Sequence, residues 1–278
     1  MQKKIYWIAS YPKSGNTWMR AIISSLLFTT DGKFNFGLFK LIEQFEKRKW
    51  FNFVNNKEFT MRDISKYWVE AQERIIIEDN YNFLYNFFKT HSLNGKFDKN
   101  DFTNNKVTGG IIYVVRDPRD VALSFSKHRG ENIDSTIDFM INKNAMFPLD
   151  KERMPTFISR WDFHFLSWQK INVPKLLITF EELFNNTKKT LNVIESFLKK
   201  DLKIDIDNTK NKIENIIQST KFEKLKDFEE KNGFNEATKN SNFFREGKIK
   251  QWEKELGTNH IKKIEKEFKP TMQKLGYL

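Results

Sequence analysis

The chain has 278 residues, close to the upper size for one hydrophobic core, and its 48 lysines and arginines against 36 acids leave a net charge of +12. This favours an anionic ligand, a nucleic acid or an anionic surface without choosing among them. Cysteine is absent, which excludes disulfides, thiolate catalysis and cysteine-ligated zinc, and the histidines at 91, 128, 164 and 260 form no His-x-x-x-His pair.

In chain order, the apolar run Ile5–Ser10 predicts a buried strand, and Thr17–Phe28 carries helical spacing at Trp18, Ala21, Ile22, Leu26 and Leu27. The loop between them, Tyr11-Pro-Lys-Ser-Gly-Asn-Thr-Trp18, therefore sits where a strand hands over to a helix. The first N–H groups of a helix have no partner inside it and carry partial positive charge, so an anion is the natural occupant. Lys13 adds a mobile charge, Ser14 and Thr17 add hydroxyls, and Gly15 permits close approach of backbone. The P-loop pattern Gly-x-x-x-x-Gly-Lys is absent, because here the lysine precedes the glycine.

Residues 32–60 are rich in aromatics, mostly core by weight of number, with some able to wall a pocket. A helix is expected over Ile64–Glu78, continuing in part toward Phe88 after a break at Asp79-Asn80, followed by a strand over Phe87–Ser92 and a surface loop over 94–109. Gly110–Val115 reads as a central parallel strand that delivers Arg116-Asp-Pro-Arg-Asp120, with Pro118 opening a helix. Arg116 and Ser124 then form a second anion site by the same physics, and Arg119 and Asp120 read as a cap or surface ion pair. Residues 131–156 show little regular patterning. A helix over Phe157–Ile171 holds His164 in a structural place, a strand is expected over Val173–Phe180, and helices over Thr187–Leu198, around Ile213–Ile217 and over Asn259–Leu275. No linker, signal core or spanning run is seen, so the expectation is one domain over residues 1–278, soluble and cytoplasmic.

The loop at 11–18 resembles the phosphosulfate loop of sulfotransferases that use 3′-phosphoadenosine 5′-phosphosulfate (PAPS), Tyr-Pro-Lys-Ser-Gly-Thr-Thr-Trp, with Asn16 the one departure. Lys89-Thr90-His91 is similar to the family's Lys-Thr-His, whose histidine is the catalytic base, and Arg116 to Ser124 follows its 3′-phosphate motif. Looser likenesses continue through Phe180, at a family tyrosine, through Thr220 and Phe222 near the adenosine, and through Arg245, Glu246 and Gly247 of the loop over the 3′-phosphate. The resemblance implies an α/β fold of three layers, P-loop-like, with a central parallel sheet flanked by helices. It implies a metal-free transfer in which His91, Lys13 and Lys89 are catalytic and the donor is held by Lys13, Ser14, Gly15, Asn16, Thr17, Trp18, Arg116, Ser124, Phe180, Thr220, Phe222, Arg245, Glu246 and Gly247. The acceptor is a small molecule, glycan or lipid, and nucleic acid is not expected as a partner. No dimerisation motif is recognisable. A nucleotide kinase on a related sheet and a non-catalytic nucleic-acid-binding protein are the competing readings.

Overall fold

A computed structural model describes residues 3–55, 59–78, 85–207, 209–234, 236–237, 243–244 and 246–278. Strand β1 (Ile5–Ser10) leads into α1 (Asn16–Phe28), and after two 3-10 turns come α2 (Met61–Ser65), α3 (Trp68–Ile77) and β2 (Asn86–Thr90). A small hairpin, β3 (Lys96–Phe97) with β4 (Asn100–Asp101), precedes β5 (Thr108–Val115), which feeds α4 (Pro118–Arg129) and α5 (Ile133–Ile141). The short pair β6 (Met146–Phe147) and β7 (Thr156–Phe157) leads to α6 (Trp161–Lys170), β8 (Lys175–Thr179), α7 (Phe180–Asn185) and α8 (Thr187–Lys200). The chain closes with α9 (Lys212–Ser219), α10 (Phe222–Asn232), α11 (Trp252–Glu255) and α12 (Thr258–Leu275).

The main sheet is parallel, in the order β2-β1-β5-β8, so the chain leaves β1 to one side for β2 and returns past it for β5. Such a reversal opens a crevice at the carboxyl ends of the strands, where open α/β sheets bind ligands. Side chains alternate across a strand, and the two faces build separate cores. Ile5, Trp7, Ala9, Ile111, Tyr113 and Val115 pack with α2, α3, α4, α5, α6 and α12, whereas Ile8, Ile112, Val114 and Ile178 pack with α1, α7, α8 and α9. This is the three-layer arrangement the resemblance implied, with both faces of the sheet covered.

Some expectations need correction. The helix expected over 64–78 is two pieces, because the Thr60–Asp63 capping box starts α2 early and the chain turns at Lys66-Tyr67. Its expected continuation past Asp79 lies outside the described residues. Residues 131–156 are not patternless: Asn132 caps α5 by accepting the Ser135 N–H at 2.8 Å, and Ile137 and Met140 bury its inner face. The helix expected from Phe157 begins only at Trp161, since Thr156 and Phe157 pair as β7. Phe180 is the first residue of α7 and not a strand residue, with Thr179 as its cap.

Candidate active site

The carboxyl ends of β1, β2 and β5 open into one cavity of about 1040 Å³. Lys13, Gly15, Asn16, Thr17, Trp18, Lys89, His91, Arg116, Ser124, Phe180, Phe222, Glu246 and Gly247 all line it, although they come from widely separated stretches of the sequence. Ser14 sits fully buried behind the loop. Thr220 does not line the cavity: it is buried, and its hydroxyl donates to the Ile216 carbonyl at 2.7 Å as helix side chains at such ends commonly do. Arg245 lies outside the described residues.

At the first junction, Gly15 caps α1 with φ 98°, and a Cβ there would stand 2.6 Å from the Phe180 ring. Lys13 shares the left-handed region, at φ 64°. The first turn of α1 holds no acid of its own. Asn16 explains its own departure from the family pattern. Its amide donates both hydrogens inward, to the Ile8 carbonyl at 2.9 Å and to Ser10 Oγ at 3.1 Å, tying the loop to β1. With both amide hydrogens used, the Asn16 side chain keeps only an acceptor oxygen, which is buried.

At the second junction Arg116 lies over the Phe180 ring at 4.5 Å and donates to the carbonyls of Lys13 at 3.3 Å and Lys248 at 2.8 Å. Phe180 thus keeps the packing of an aromatic ring against Trp18, at 5.9 Å between centroids. Arg119 and Asp120 are buried and structural. Arg119 pairs with Asp117 at 2.7 Å and Glu265 at 2.6 Å, while Asp120 accepts the Lys250 and Trp252 N–H groups and so holds the 246–252 turn to α4. Glu246 accepts from Gln251 at 3.2 Å and brings a negative charge to the rim.

Between the junctions stands His91. Its Nδ1 lies 2.8 Å from the Ser10 carbonyl oxygen, which can only accept, so the ring hydrogen is on Nδ1 and Nε2 carries the free lone pair. Burial, with the Lys89 charge beside it, holds the imidazole well below its ordinary pKa, so it is neutral at pH 7. His164, which the sequence placed as structural, donates from Nε2 to the His91 carbonyl at 3.0 Å and accepts from the Tyr113 hydroxyl at 2.8 Å.

Sequence reasoning missed Arg20 and Glu236. The Glu236 carboxylate accepts from Thr17 Oγ1 at 3.0 Å, from Lys89 Nζ at 2.7 Å and from Arg20 Nη1. Burial works to raise this carboxyl, but Lys89 and Arg20 outweigh it and hold the acid far below the usual carboxylate range. Burial likewise pulls Lys89 below the ordinary lysine value, with Glu236 opposing. Thr17, Lys89 and Arg20 thus converge on one carboxylate at the cavity wall. Ser14 Oγ, Trp18 Nε1 and Arg116 Nε are buried without hydrogen-bond partners among the described residues. No group of His, Asp or Glu among the described residues could hold a metal ion.

Residues 3–276 match the family model described as the sulfotransferase domain. The chain belongs to the sulfotransferase family. Relatives include luciferin sulfotransferase of Photinus pyralis, 28% identical over 228 residues that cover 79% of this chain and 56% of the relative, and sulfotransferase 1B1 of Canis lupus familiaris, 25% identical over 79% of this chain and 65% of the relative. This sulfotransferase chain spans less than two thirds of the length of either. In fold it is similar to the crystal structure of mouse sulfotransferase SULT7A1 complexed with PAP, at TM-score 0.61 and 21% identity, covering 98% of this chain and 84% of that one. Retinol dehydratase in complex with androsterone and inactive cofactor PAP aligns at TM-score 0.59 and 18% identity, over 98% of this chain and 81% of that one. Among the described residues no helix is long and apolar enough to cross a membrane.

Proposed function

We propose that this protein transfers a sulfuryl group from PAPS to a hydroxyl or amine of an acceptor, acting as one domain. The observation that carries the reading is a neutral His91, with Nε2 as its free lone pair, held beside Lys89 between two anion-binding strand-to-helix junctions in a single cavity. A donor with two separated phosphate groups fits two such junctions, and the convergence of Thr17, Lys89 and Arg20 on the chain's own Glu236 carboxylate supports donors suited to an anion at the first. When bound, the donor supplies an activated sulfuryl group.

The protein residues do the rest. His91 Nε2 accepts the acceptor proton as the new bond to sulfur forms, a contribution of about a hundred- to ten-thousand-fold. Lys13 and the α1 N–H groups offset the charge left on the departing phosphate oxygen, and Lys89 faces the sulfuryl oxygens. Arg116 and Ser124 hold the 3′-phosphate, and Trp18 and Phe222 supply apolar faces to the purine. Relatives named for luciferin and for a hydroxysteroid support a small-molecule acceptor.

Ligand-induced thermal stabilisation tests the reading, because a ligand that binds only the folded state raises apparent stability. Saturating 3′-phosphoadenosine 5′-phosphate (PAP) is expected to raise Tm by several degrees, with ATP and magnesium or an oligonucleotide giving little. A shift with either of the latter and none with PAP sinks the proposal.

A further inference from the structure

The end of the cavity beyond His91 is walled by β2 and by two turn-containing segments packed beside it, joined through isolated bridges. Residues 43–48 run along β2, with the Phe45 N–H donating to the Lys89 carbonyl at 3.0 Å and the Lys89 N–H to the Glu43 carbonyl at 2.9 Å. Residues 150–154 run along 43–48 in turn, through Arg48 N–H to the Glu152 carbonyl at 2.8 Å and Met154 N–H to the Glu46 carbonyl at 2.7 Å. This pairing sets Gln44 beside Lys89, two residues before His91, and Lys47 opposite Arg153.

The side chains on this wall are polar and paired. Glu43 takes Lys47 at 2.8 Å and Lys49 at 2.5 Å, Asp150 takes Arg153 at 2.8 Å, and Glu43, Gln44, Lys47, Asp150 and Arg153 all line the cavity. His128 faces the same space from α4, and Phe147 contributes a ring. An apolar acceptor laid on this wall would strip water from two ion pairs and return no hydrogen bonds, a costly exchange. A simple anion would find Lys47 and Arg153 already engaged by acids. A hydroxyl donates and accepts at once, so it can bridge both members of a Lys–Glu or Arg–Asp pair as water does, and the C–H face of a sugar can rest on an aromatic ring.

We propose that the acceptor is a carbohydrate, bound through its hydroxyls by Gln44 and the Glu43–Lys47 and Asp150–Arg153 pairs so that one hydroxyl reaches His91. The proposal rests on the sulfotransferase reading, and its test separates the two. The full chain is incubated with labelled PAPS and either cellotriose, trigalacturonic acid, 4-nitrophenol or a 3-hydroxysteroid, with PAP-induced thermal stabilisation measured in parallel. Transfer to at least one saccharide with kcat/KM about tenfold or more above the phenol and steroid is expected, in line with the discrimination that hydrogen-bonding sites achieve. Lys47→Met and Arg153→Leu should each raise the saccharide KM about tenfold, the scale of one lost charge-assisted hydrogen bond, and leave the PAP shift unchanged. A normal PAP shift with preference for the phenol or steroid, or with no transfer to either saccharide, overturns the carbohydrate assignment alone. Absence of the PAP shift overturns both readings.

Discussion

At the scale of single residues, two neighbours govern His91: the Ser10 carbonyl, which holds the Nδ1 hydrogen, and the Lys89 ammonium, which with burial opposes a second proton. A base whose pKa is depressed keeps its lone pair to lower pH. The acid limb of kcat/KM should therefore lie clearly below pH 6.5, with activity flat from 6.5 to 7.5, and a limb at or above 6.5 would count against His91 as the titrating group. His91→Ala should lower kcat about a hundred- to ten-thousand-fold while keeping the thermal shift given by PAP; full retained turnover removes His91 from the role. The residue type and its place after a strand were legible in the sequence, through Lys89-Thr90-His91. The tautomer was not, because the carbonyl that sets it comes from a different strand. Thr220 is the converse case. Its hydroxyl matched a motif, yet the last turn of α9 takes that hydroxyl for its own carbonyl, a local choice that a motif cannot display.

Elements carried the clearest signals where one period dominates. The strand-to-helix junctions at Ser10–Asn16 and Val115–Pro118 follow directly from an apolar run, a turn with Pro and Gly or Pro and Asp, and a helical pattern after it. The helix α5 was hidden because its apolar spacing covers few turns and sits between a glycine-containing turn and two prolines. The segment carrying Glu236 gave no signal at all, since its carboxylate is read only when a residue 219 positions away in sequence donates to it. The first junction also makes a sharp prediction. Gly15 has φ 98°, and an added Cβ would meet the Phe180 ring at 2.6 Å, a ring that Arg116 also covers. Gly15→Ala combines backbone strain with a clash against a packed side chain, so a loss of about 1–3 kcal/mol in chemical denaturation is expected. Weaker PAP binding should accompany it, because Phe180 and Arg116 must shift together. A variant with unchanged stability and PAP affinity would show that this loop has slack the structure does not display.

For the whole molecule, the two-sided core was legible as alternation in β1 and β5, and the charge excess was legible in composition. What the cores enclose was not. The fold buries His164 fully between the sheet and α6 and leaves His91 part-buried at the cavity, while α4 holds His128 against the same cavity. Burial keeps His164 neutral down to about 4, and burial with Lys13 and Lys89 keeps His128 neutral down to about 3. Unfolded histidines bind protons near 6.5. Between those values the unfolded chain holds more protons than the folded one, so stability rises with pH and falls as the solution is acidified below 6.5. Each of His91 and His164 contributes at most about 1.4 kcal/mol per pH unit across its window. Below pH 4.5 the depressed Glu236 adds loss in the same direction, while the raised Asp120 and Glu181 oppose it just above their unfolded values. Calorimetry should therefore show Tm dropping steadily from pH 6.5 to pH 5, where the carboxylates contribute least and the histidines dominate. His164→Gln should flatten part of that slope, and a profile that is level or rises over this interval would mean that these histidines take up protons in the folded state as readily as in the unfolded one.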